Sequence, residues 1–181
     1  MKKAAQALKK GFTLVELLVV ISVIGVLATI VLLAVNPGEQ LARGRDTSRQ
    51  AAITQIGRAL QGYFTVNSAL YPAQATAAID ALVTSGDMKT VPVNPSYTTV
   101  PSPTCAAANL QSTTSPVSNY CYLTNAGRSD AIVYSRMEST LNNTRGGCAT
   151  SMWFVFSTAD GRAGFVCSAT EPAVGAQTYT P

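Results

Sequence analysis

The sequence has no histidine, and only 12% of its 181 residues carry a charge. The absence of histidine excludes catalysis by a histidine general base or by a serine, histidine and aspartate triad. The sequence also lacks a glycine-rich phosphate loop, an internal repeat and a basic groove with interleaved aromatic residues. Four of its five aspartates are scattered and are interpreted as solvated surface groups: Asp80, Asp87, Asp130 and Asp160. We therefore expect no catalytic residue and no cofactor, and a chain that is a substrate of processing enzymes and not an enzyme.

Cysteine is absent from the first half of the chain, and the four cysteines of the second half form no C-x-x-C pair. With no histidine available, this spacing does not favour zinc, and we expect no metal site. If the second half is exported, disulfides are the natural interpretation. Three pairings are open, and we favour the local one, which joins Cys105 to Cys121 and Cys148 to Cys167. The first bond would fasten a long loop to the start of a sheet, and the second would join the two sides of a hairpin.

The net charge of +4 comes from residues ahead of a long apolar run. No acidic residue precedes this run, whereas the chain from Phe12 onward has nine basic and nine acidic residues. This neutral remainder gives no reason to expect direct nucleic-acid binding. The early basic residues fit a segment held on the cytoplasmic side of a membrane by the positive-inside rule. They are Lys2, Lys3, Lys9 and Lys10.

The apolar run covers residues 12–35 and contains one charged side chain, Glu16. As a helix it would be about 36 Å long at about 1.5 Å per residue, enough to cross a bilayer core of about 30 Å. The run is too long for a cleaved secretory signal. A plain membrane anchor explains its length and the preceding lysines, but it leaves unexplained a carboxylate that costs about 2.5–3.5 kcal/mol at the centre of a bilayer.

A cut between Gly11 and Phe12 would supply a partner for Glu16. The new α-amino group of Phe12 would lie one helical turn from this carboxylate, at i and i+4. The amine of a neighbouring copy could also pair with it. Either pairing offsets two desolvation costs and would fix the axial register between packed helices.

The stretch "KKGFTLVELLVVISVIGVLATIVLL" closely resembles the leader and N-terminal helix of type IV pilins and pseudopilins. In that family a basic leader ends in glycine and is followed by an aromatic residue, a Thr-Leu pair and a glutamate at the fifth mature position. Gly11, Phe12, Thr13, Leu14 and Glu16 match position by position. The resemblance implies cleavage after Gly11 by a prepilin peptidase, N-methylation of Phe12, and a register role for Glu16.

The resemblance also implies a function, partners and a location. It implies a structural subunit of a type IV pilus filament, a homo-polymer built with the membrane platform and assembly ATPase of the pilus machinery. The precursor would lie in the cytoplasmic membrane and the product would be an extracellular filament on the cell surface. In such filaments the helix can lose regular structure between a glycine and a proline, here Gly25 and Pro37. The alternatives are a pseudopilin of a type II secretion-like or DNA-uptake system, and a membrane-anchored module that never polymerises.

We predict an α+β, pilin-like fold with four parts. Residues 1–11 are a cleaved basic leader, and residues 12–35 are the membrane and filament-core helix. Residues 36–66 form an amphipathic helix that continues into the globular domain of residues 67–181. Local rules favour a new helix at Pro37, but one continuous helix kinked there is also compatible with the sequence.

The amphipathic helix has an apolar stripe that we expect to cover the core of the globular domain. The stripe consists of Leu41, Ala52, Ile56, Leu60 and Phe64. The arginines lie at polar positions of the same helix, at Arg45, Arg49 and Arg58. Together with Asp46, these arginines could instead make contacts between subunits.

The globular domain is predicted to contain a short helix over residues 74–85 closed by Gly86, then a long surface loop rich in Pro, Ser and Thr. The "VPVNP" step of this loop resembles one in pseudopilins, which often have aspartate where this chain has Asn94. An antiparallel sheet of three or four strands follows, from "YCYLT", "DAIVYSRME", "MWFVFST" and "RAGFVCS". A turn of the D-G type at Asp160 joins the last two strands. The connection over residues 139–147 is predicted to be polar and exposed, with a weak glycosylation sequon at Asn142.

Overall fold

The computed structural model describes residues 11–75, 78–101, 103–105, 109–110 and 120–181. The chain divides into two compact units, of which one ends at Gly38 and the other is Glu39–Pro181. Residues 1–10 of the predicted leader lie outside the described residues. So do residues 102, 106–108 and 111–118 of the predicted loop, and residues 76–77 of the predicted short helix.

Two helices occupy the first part of the chain. Helix α1 is Leu14–Val35 and helix α2 is Pro37–Val66. Asn36 separates them with φ 46° and ψ 79°, the left-handed conformation that often terminates a helix and that asparagine tolerates. Pro37 then stands at the first position of α2, where its missing N–H has no cost. The helical structure is therefore interrupted at Asn36, as local rules favour.

A five-stranded antiparallel sheet forms the second part, with its strands in sequence order. The strands are β1 Asn109–Leu110, β2 Tyr120–Thr124, β3 Ala131–Arg136, β4 Met152–Ser157 and β5 Arg162–Cys167. The last four coincide closely with the four predicted strands, which confirms the α+β arrangement. The hairpin between β4 and β5 turns at Gly161 with φ 64°. The two-residue β1 was not predicted, because it lies in a segment dominated by turn formers.

A short helix, α3, covers Ala78–Thr84. It ends at Gly86, whose φ of 84° is the left-handed conformation expected of a helix-closing glycine. The amide of Gly86 donates a hydrogen bond to the carbonyl of Val83 at 3.1 Å. The predicted helix and its terminating glycine are therefore present, but residues 74–75 of the predicted range are not helical.

The sheet separates two apolar layers. On one face, Ile53 and Ile56 of α2 pack with Val133, together with side chains of α3. The alternate side chains of β3 and β4 form a smaller cluster on the opposite face, with Tyr134 and Trp153 at its centre. This two-sided burial explains why β3 and β4 are almost entirely apolar.

Close packing of α2 on the sheet requires a glycine. A Cβ atom at Gly57 would lie 2.2 Å from the ring of Phe156. Gly57 therefore lets the helix backbone approach the β4 aromatic ring at van der Waals distance.

Two predictions for α2 are wrong. Leu41 is 66% exposed, although it fits the spacing of the apolar stripe, and Arg49 and Asp46 are fully buried at positions interpreted as polar surface. The first turns of α2 therefore bury charge, and only the following turns bury the apolar stripe. Periodicity alone cannot predict that Arg49 is buried, because Glu138, one of the carboxylates that pair with it, lies in a distant segment of the chain.

The connection over residues 139–147 also differs from its prediction. It contains a short helix, α4 Thr140–Asn143, and a 3-10 turn, Arg145–Gly147. Ser139 is fully buried, and its side chain caps α4 by accepting a hydrogen bond from the amide of Asn142. Part of this polar segment is thus held inside the molecule.

Two disulfides join the pairs that sequence analysis favoured. Cys105 bonds Cys121 across a sequence separation of 16, and Cys148 bonds Cys167 across 19. The first bond attaches the loop at Cys105 to strand β2, which contains Cys121. The second bond joins the segment before β4 to the end of β5. Both bonds therefore limit the freedom of loops that begin or end at the sheet.

Near the end of the described chain, Tyr179 and Thr180 lie against the edge strand β5. The amide of Thr180 donates to the carbonyl of Phe165 at 2.7 Å, and the two residues form an antiparallel bridge. The ring of Tyr179 lies where a Cβ atom of Gly164 would be, and its hydroxyl donates to the carbonyl of Arg162 at 3.0 Å. These two residues therefore cover part of the outer side of β5.

Candidate functional site

The predicted processing point lies in a short non-helical segment. Gly11, Phe12 and Thr13 precede the first residue of α1, and all three are exposed. The side chain of Phe12 is 87% exposed. A peptidase can bind an extended, exposed peptide bond without first unwinding a helix, so the bond between Gly11 and Phe12 has the accessibility that cleavage requires.

Glu16 is held by a capping box at the start of α1. Its Oε2 atom accepts a hydrogen bond from the backbone amide of Thr13 at 2.9 Å and from the Thr13 hydroxyl at 3.0 Å. In return, the Thr13 Oγ1 accepts the backbone amide of Glu16 at 3.2 Å. This reciprocal arrangement satisfies donors that a helix start leaves unpaired.

Sequence analysis treated Thr13 only as a matching motif residue and missed its partnership with Glu16. The signal was present as T-x-x-E directly before an apolar run, which is the capping-box pattern. The carboxylate therefore has a partner in this chain before any cleavage. The backbone amide of Thr13 already donates to Glu16. The new amine at Phe12 would lie one residue before Thr13 in the sequence.

The two other polar side chains of α1 are also satisfied inside the helix. The Ser22 hydroxyl donates to the carbonyl of Leu18 at 2.8 Å, and the Thr29 hydroxyl donates to the carbonyl of Gly25 at 2.9 Å. The hydroxyls of Ser22 and Thr29 thus do not depend on water for their hydrogen bonds. This is the condition that a helix must meet in lipid or in a dry packing of helices.

The surface of α1 is apolar on every side. The exposed fractions of its large apolar side chains run from 48% at Val20 to 78% at Leu14. Among the described residues, the one helix that is long and apolar enough to cross a membrane lies here, at Leu14–Leu32, with a mean hydropathy of 2.8. Full burial of each such side chain is worth about 1.5–3 kcal/mol, so α1 has a strong tendency to enter lipid or to pack with other helices.

The predicted helix break lies at the end of this segment. Gly25 is inside α1 with open space around it, and Pro37 begins α2. All residues between Gly25 and Val35 are helical in this chain. Loss of helix between Gly25 and Pro37 in a filament therefore stays a prediction.

A second group of polar residues lies in the other unit, where α2 carries a buried charge network. The carboxylate of Asp46 accepts four hydrogen bonds: from Arg49 at 2.9 Å, from the amides of Glu138 and Ser139 at 2.8 and 2.9 Å, and from the Asn142 side chain at 2.8 Å. Asp46 therefore fixes the segment that links β3 to α4.

Arg49 uses its whole guanidinium within the same network. Its Nε donates to Asn94 at 3.0 Å, and its Nη2 donates to the carbonyl of Pro95 at 2.9 Å and to Glu138 at 3.1 Å. The guanidinium carbon also lies 3.9 Å from the ring centre of Tyr97. The arginine thereby fastens the loop around Asn94 to α2.

Glu138 completes the network by joining Arg45 to Arg49. It accepts two hydrogen bonds from Arg45, at 2.7 and 2.9 Å, and further bonds from the amides of Thr98 and Thr99. Burial by itself would raise the pKa of Glu138. The hydrogen bonds from Arg45 and Thr98 outweigh this effect and hold the pKa well below its usual range.

The network has a structural role within this chain. Arg45 is partly exposed, and Asp46, Arg49 and Glu138 are buried, so the network as a whole pairs two arginines with two carboxylates. The interpretation that Arg49 and Asp46 contact other subunits is wrong, because both side chains are fully buried in their own unit. Arg58 is exposed and has no such constraint.

The network also limits two other possible sites. The Asn94 oxygen accepts from Arg49, so a cation at that oxygen would be placed against a guanidinium. The Asn142 amide nitrogen, which the sequon would modify, is buried and donates to Asp46. Among the described residues, no group of three or more histidine, cysteine, aspartate or glutamate side chains could hold a metal ion.

Comparison with protein families identifies a match at the N-terminal end of the described helix α1. Residues 7–32 match the prokaryotic N-terminal methylation motif. A comparison with curated proteins and with solved structures found no match. The motif covers the processing point and most of α1, and it does not extend into Glu39–Pro181.

This motif is that of the class III leader of type IV pilins, and it supports a pilin-type or pseudopilin-type substrate. Leaders of this kind are processed by prepilin peptidases before assembly into pilus-like polymers. Together with the apolar helix α1, the leader indicates membrane anchoring before assembly. Proteins that carry it are structural rather than catalytic.

Proposed function

We propose that this chain is a structural subunit of a type IV pilus filament. The leader is removed between Gly11 and Phe12, the new amine of Phe12 is methylated, and α1 packs with the α1 helices of other copies. The methylation motif over residues 7–32 carries this proposal, and the apolar, internally satisfied surface of α1 supports it. Neighbouring helices then replace the lipid that surrounds α1 in the precursor.

Glu16 sets the register of the packed helices. In the uncleaved chain its Oε2 atom accepts from Thr13. After cleavage the charged amine of Phe12, on the same or a neighbouring copy, becomes the strongest donor at that depth. A charged amine left unpaired in an apolar environment is costly. The axial position of neighbouring helices that pairs this amine with Glu16 is therefore favoured over all others.

The remaining parts of the proposal follow the four-part division of the chain. Residues 1–11 are the leader, residues 12–35 form the filament core, and residues 36–66 connect it to an outer layer built by residues 67–181. The partners are the prepilin peptidase, the membrane platform, the assembly ATPase and further copies of the subunit. The filament lies outside the cytoplasmic membrane, on the cell surface.

Mass spectrometry of filaments sheared from cells, without reduction, tests this function. The expected species begins at an N-methylated Phe12 and retains both disulfides. Recovery of the processed chain only in the membrane fraction would contradict a pilus role.

A substitution of Glu16 tests the register role separately. We expect Glu16→Ala to process normally but to lose most incorporation into filaments, whereas Ser22→Ala in the same helix should assemble as the wild type does. Equal assembly of Glu16→Ala, alone and mixed with wild-type subunits, would show that the carboxylate does not set register.

A pseudopilin of a type II secretion-like or DNA-uptake system is the second candidate. The "VPVNP" step favours it, because this step resembles one in pseudopilins. The same fractionation distinguishes the two, since a pseudopilin would be processed yet remain with the cell envelope. An uncleaved leader would instead indicate a membrane-anchored module that does not polymerise.

A further inference from the structure

The two disulfides of the globular unit differ in how far solvent reaches them. Cys105 is 8% exposed and Cys121 is 0% exposed, and both belong to the apolar cluster on the face of the sheet that α2 does not cover. Cys167, at the end of β5, is exposed, and its partner Cys148 is half-buried. A disulfide reacts by direct attack of a thiolate on one of its sulfurs, so the rate depends on access. An external thiol can therefore reach the second bond far more easily than the first.

A hydroxyl group lies beside both sulfurs of this exposed bond. The Oγ1 atom of Thr150 is 3.8 Å from the Sγ of Cys148 and 3.6 Å from the Sγ of Cys167. The sulfur that leaves an opening disulfide departs as a thiolate, and a hydrogen bond to an ionised group is stronger than one between neutral groups. Thr150 is therefore placed to stabilise the thiolate that forms when the bond opens.

The exposed bond also fixes a turn against β5. Cys148 directly follows the turn Arg145–Gly147, and its amide donates to the carbonyl of Arg145 at 3.1 Å. The disulfide ties the end of this turn to Cys167, the last residue of β5. The guanidinium carbon of Arg145 lies 4.4 Å from the ring centre of Phe165 in the same strand. The turn is thus held on β5 by the covalent bond together with this ring contact.

The turn in its place holds one end of residues 179–181, which we call the strap. The Nε of Arg145 donates to the carbonyl of Pro181 at 3.0 Å. A Cβ atom at Gly146 would lie 2.3 Å from the Cγ2 of Thr180, so the backbone of the turn lies directly against this side chain. The position of Thr180 on β5 therefore depends on the position of the turn.

The other end of the strap is held by the β4–β5 hairpin. The hydroxyl of Tyr179 donates to the carbonyl of Arg162 at 3.0 Å and to the carboxylate of Asp160 at 3.1 Å. The guanidinium carbon of Arg162 lies 4.0 Å from the ring centre of Tyr179. Opening the exposed bond would therefore loosen the strap at Thr180 and leave Tyr179 in place.

We propose that the Cys148–Cys167 bond is a site of thiol–disulfide exchange with a dithiol, and that opening it releases Thr180 from β5. The redox state of this bond then decides whether the strap is closed along its whole length. The inference does not rest on filament assembly, because all the residues that carry it belong to the unit Glu39–Pro181.

Exchange proceeds in two displacements. A thiolate of the dithiol attacks the Sγ of Cys167, a bond forms between these two sulfurs, and the disulfide breaks with its electron pair on the Sγ of Cys148. The second thiol of the dithiol then loses its proton to water and attacks the first, which releases Cys167 as a thiolate. Both cysteines take up protons from water. The protein is reduced to two thiols while the dithiol is oxidised to a disulfide, and the reverse steps close the bond.

Dithiothreitol tests the exchange on the full chain in detergent micelles, without denaturant. The thiols that appear are trapped with N-ethylmaleimide at successive times and are located by peptide mapping. We expect Cys148 and Cys167 to be labelled at least tenfold faster than Cys105 and Cys121. Equal rates for the two pairs, or faster labelling of Cys105 and Cys121, would overturn the proposal.

Thr150→Val tests the assistance to the leaving sulfur. Valine keeps the shape of the side chain but cannot donate a hydrogen bond, so this variant should open several-fold more slowly in the same assay. Thr170→Val is the matched control, because the Thr170 hydroxyl lies 3.4 Å from that of Ser168, and it should react as the wild type does. An unchanged rate for Thr150→Val, or equal slowing in both variants, would overturn the role of Thr150.

The release of the strap is followed at the backbone amide of Thr180, which donates to the carbonyl of Phe165. Its heteronuclear NOE is measured by NMR in the full chain with Cys148 and Cys167 both replaced by serine. This NOE reports fast motion within folded molecules. It should fall to the value of a mobile segment at Thr180, while the amide of Val155 in β4 keeps the value of a rigid strand.

Two further variants separate this coupling from a general loss of structure. Replacing Cys105 and Cys121 by serine removes the other disulfide and should leave Thr180 rigid. Arg145→Ala keeps both disulfides but removes the guanidinium that binds the strap, and it should mobilise Thr180. A rigid Thr180 in the variant without the exposed bond or in Arg145→Ala, or equal mobility after loss of either disulfide, would overturn the coupling.

Discussion

The two units of the chain treat charge in opposite ways. Helix α1 contains one carboxylate, Glu16, which is satisfied by a neighbour three residues away, and its apolar surface is exposed on all sides. The unit Glu39–Pro181 buries two carboxylates and an arginine, which are satisfied by residues from separate segments. The hydrogen bonds of the Glu16 side chain in α1 are made with a near neighbour in the sequence. The exposed apolar surface of α1, however, needs lipid or other helices to cover it. The second unit is stabilised by its own long-range contacts.

The comparison predicts that removing a buried charge damages only the second unit. Asp46→Ala leaves Arg49 buried without this partner and leaves two backbone amides and the Asn142 side chain without an acceptor. We expect a loss of about 3–5 kcal/mol in the free energy of unfolding, measured by denaturant titration of the full chain in detergent.

Arg43→Ala is the matched control for this change. It breaks the ion pair between Arg43 and Glu39, in which the Arg43 side chain is 42% exposed. The expected loss is below about 1 kcal/mol. Similar losses for the two variants would mean that burial does not distinguish the network from a surface pair.

Loss of a disulfide is expected to have the next largest effect, again confined to the second unit. Replacing Cys148 and Cys167 together by serine frees a loop with a sequence separation of 19 and should cost about 3 kcal/mol. Denaturant unfolding measures the loss, and the helicity of α1 in micelles should not change. A change in α1 would contradict the independence of the two units.

Acid should weaken the second unit by a smaller amount. The folded-state pKa of Glu138 lies well below its unfolded value, so the unfolded chain binds more protons as the pH falls. Stability from this group is complete above the unfolded pKa of about 4.3 and is lost progressively below it, by about 2 kcal/mol between pH 7 and pH 3. Denaturant unfolding at both pH values gives the slope. Glu138→Gln should be less stable at pH 7 but show a flatter pH dependence, and an unchanged slope would assign the acid sensitivity to other groups.

The smallest expected effect lies in α1. Thr13→Ala removes the side chain that accepts the Glu16 amide and should cost about 1 kcal/mol at the helix start. Hydrogen exchange of the Glu16 amide in micelles should accelerate about fivefold. Thr29→Ala, which removes a hydroxyl inside the helix, should leave this amide unchanged, and equal acceleration in both variants would contradict a capping role.

The parts of the molecule that could be predicted from the sequence are those set by neighbouring residues. The four longer strands follow from runs of β-branched and aromatic residues, and the end of α3 follows from Gly86. The disulfide pairing followed from short spacing. The charge network could not be predicted in this way, because Arg49 and Glu138 lie 89 residues apart and neither has a local pattern that marks it as buried. The capping box at Thr13 was within reach of sequence analysis, since its pattern is local.

The N-terminal segment follows the same rule. Gly11, Phe12 and Glu16 could be identified as candidates because they lie in one contiguous motif, and the family comparison covers that same segment.

The segment that pairs with β5 has a consequence for how copies of this chain can associate. An unpaired edge strand is a template for the strand of another molecule, and repeated addition of strands leads to aggregates. Here Thr180 already occupies the carbonyl of Phe165, and Tyr179 covers Gly164. Another molecule's strand could therefore add at this part of β5 only if Tyr179 and Thr180 first left it.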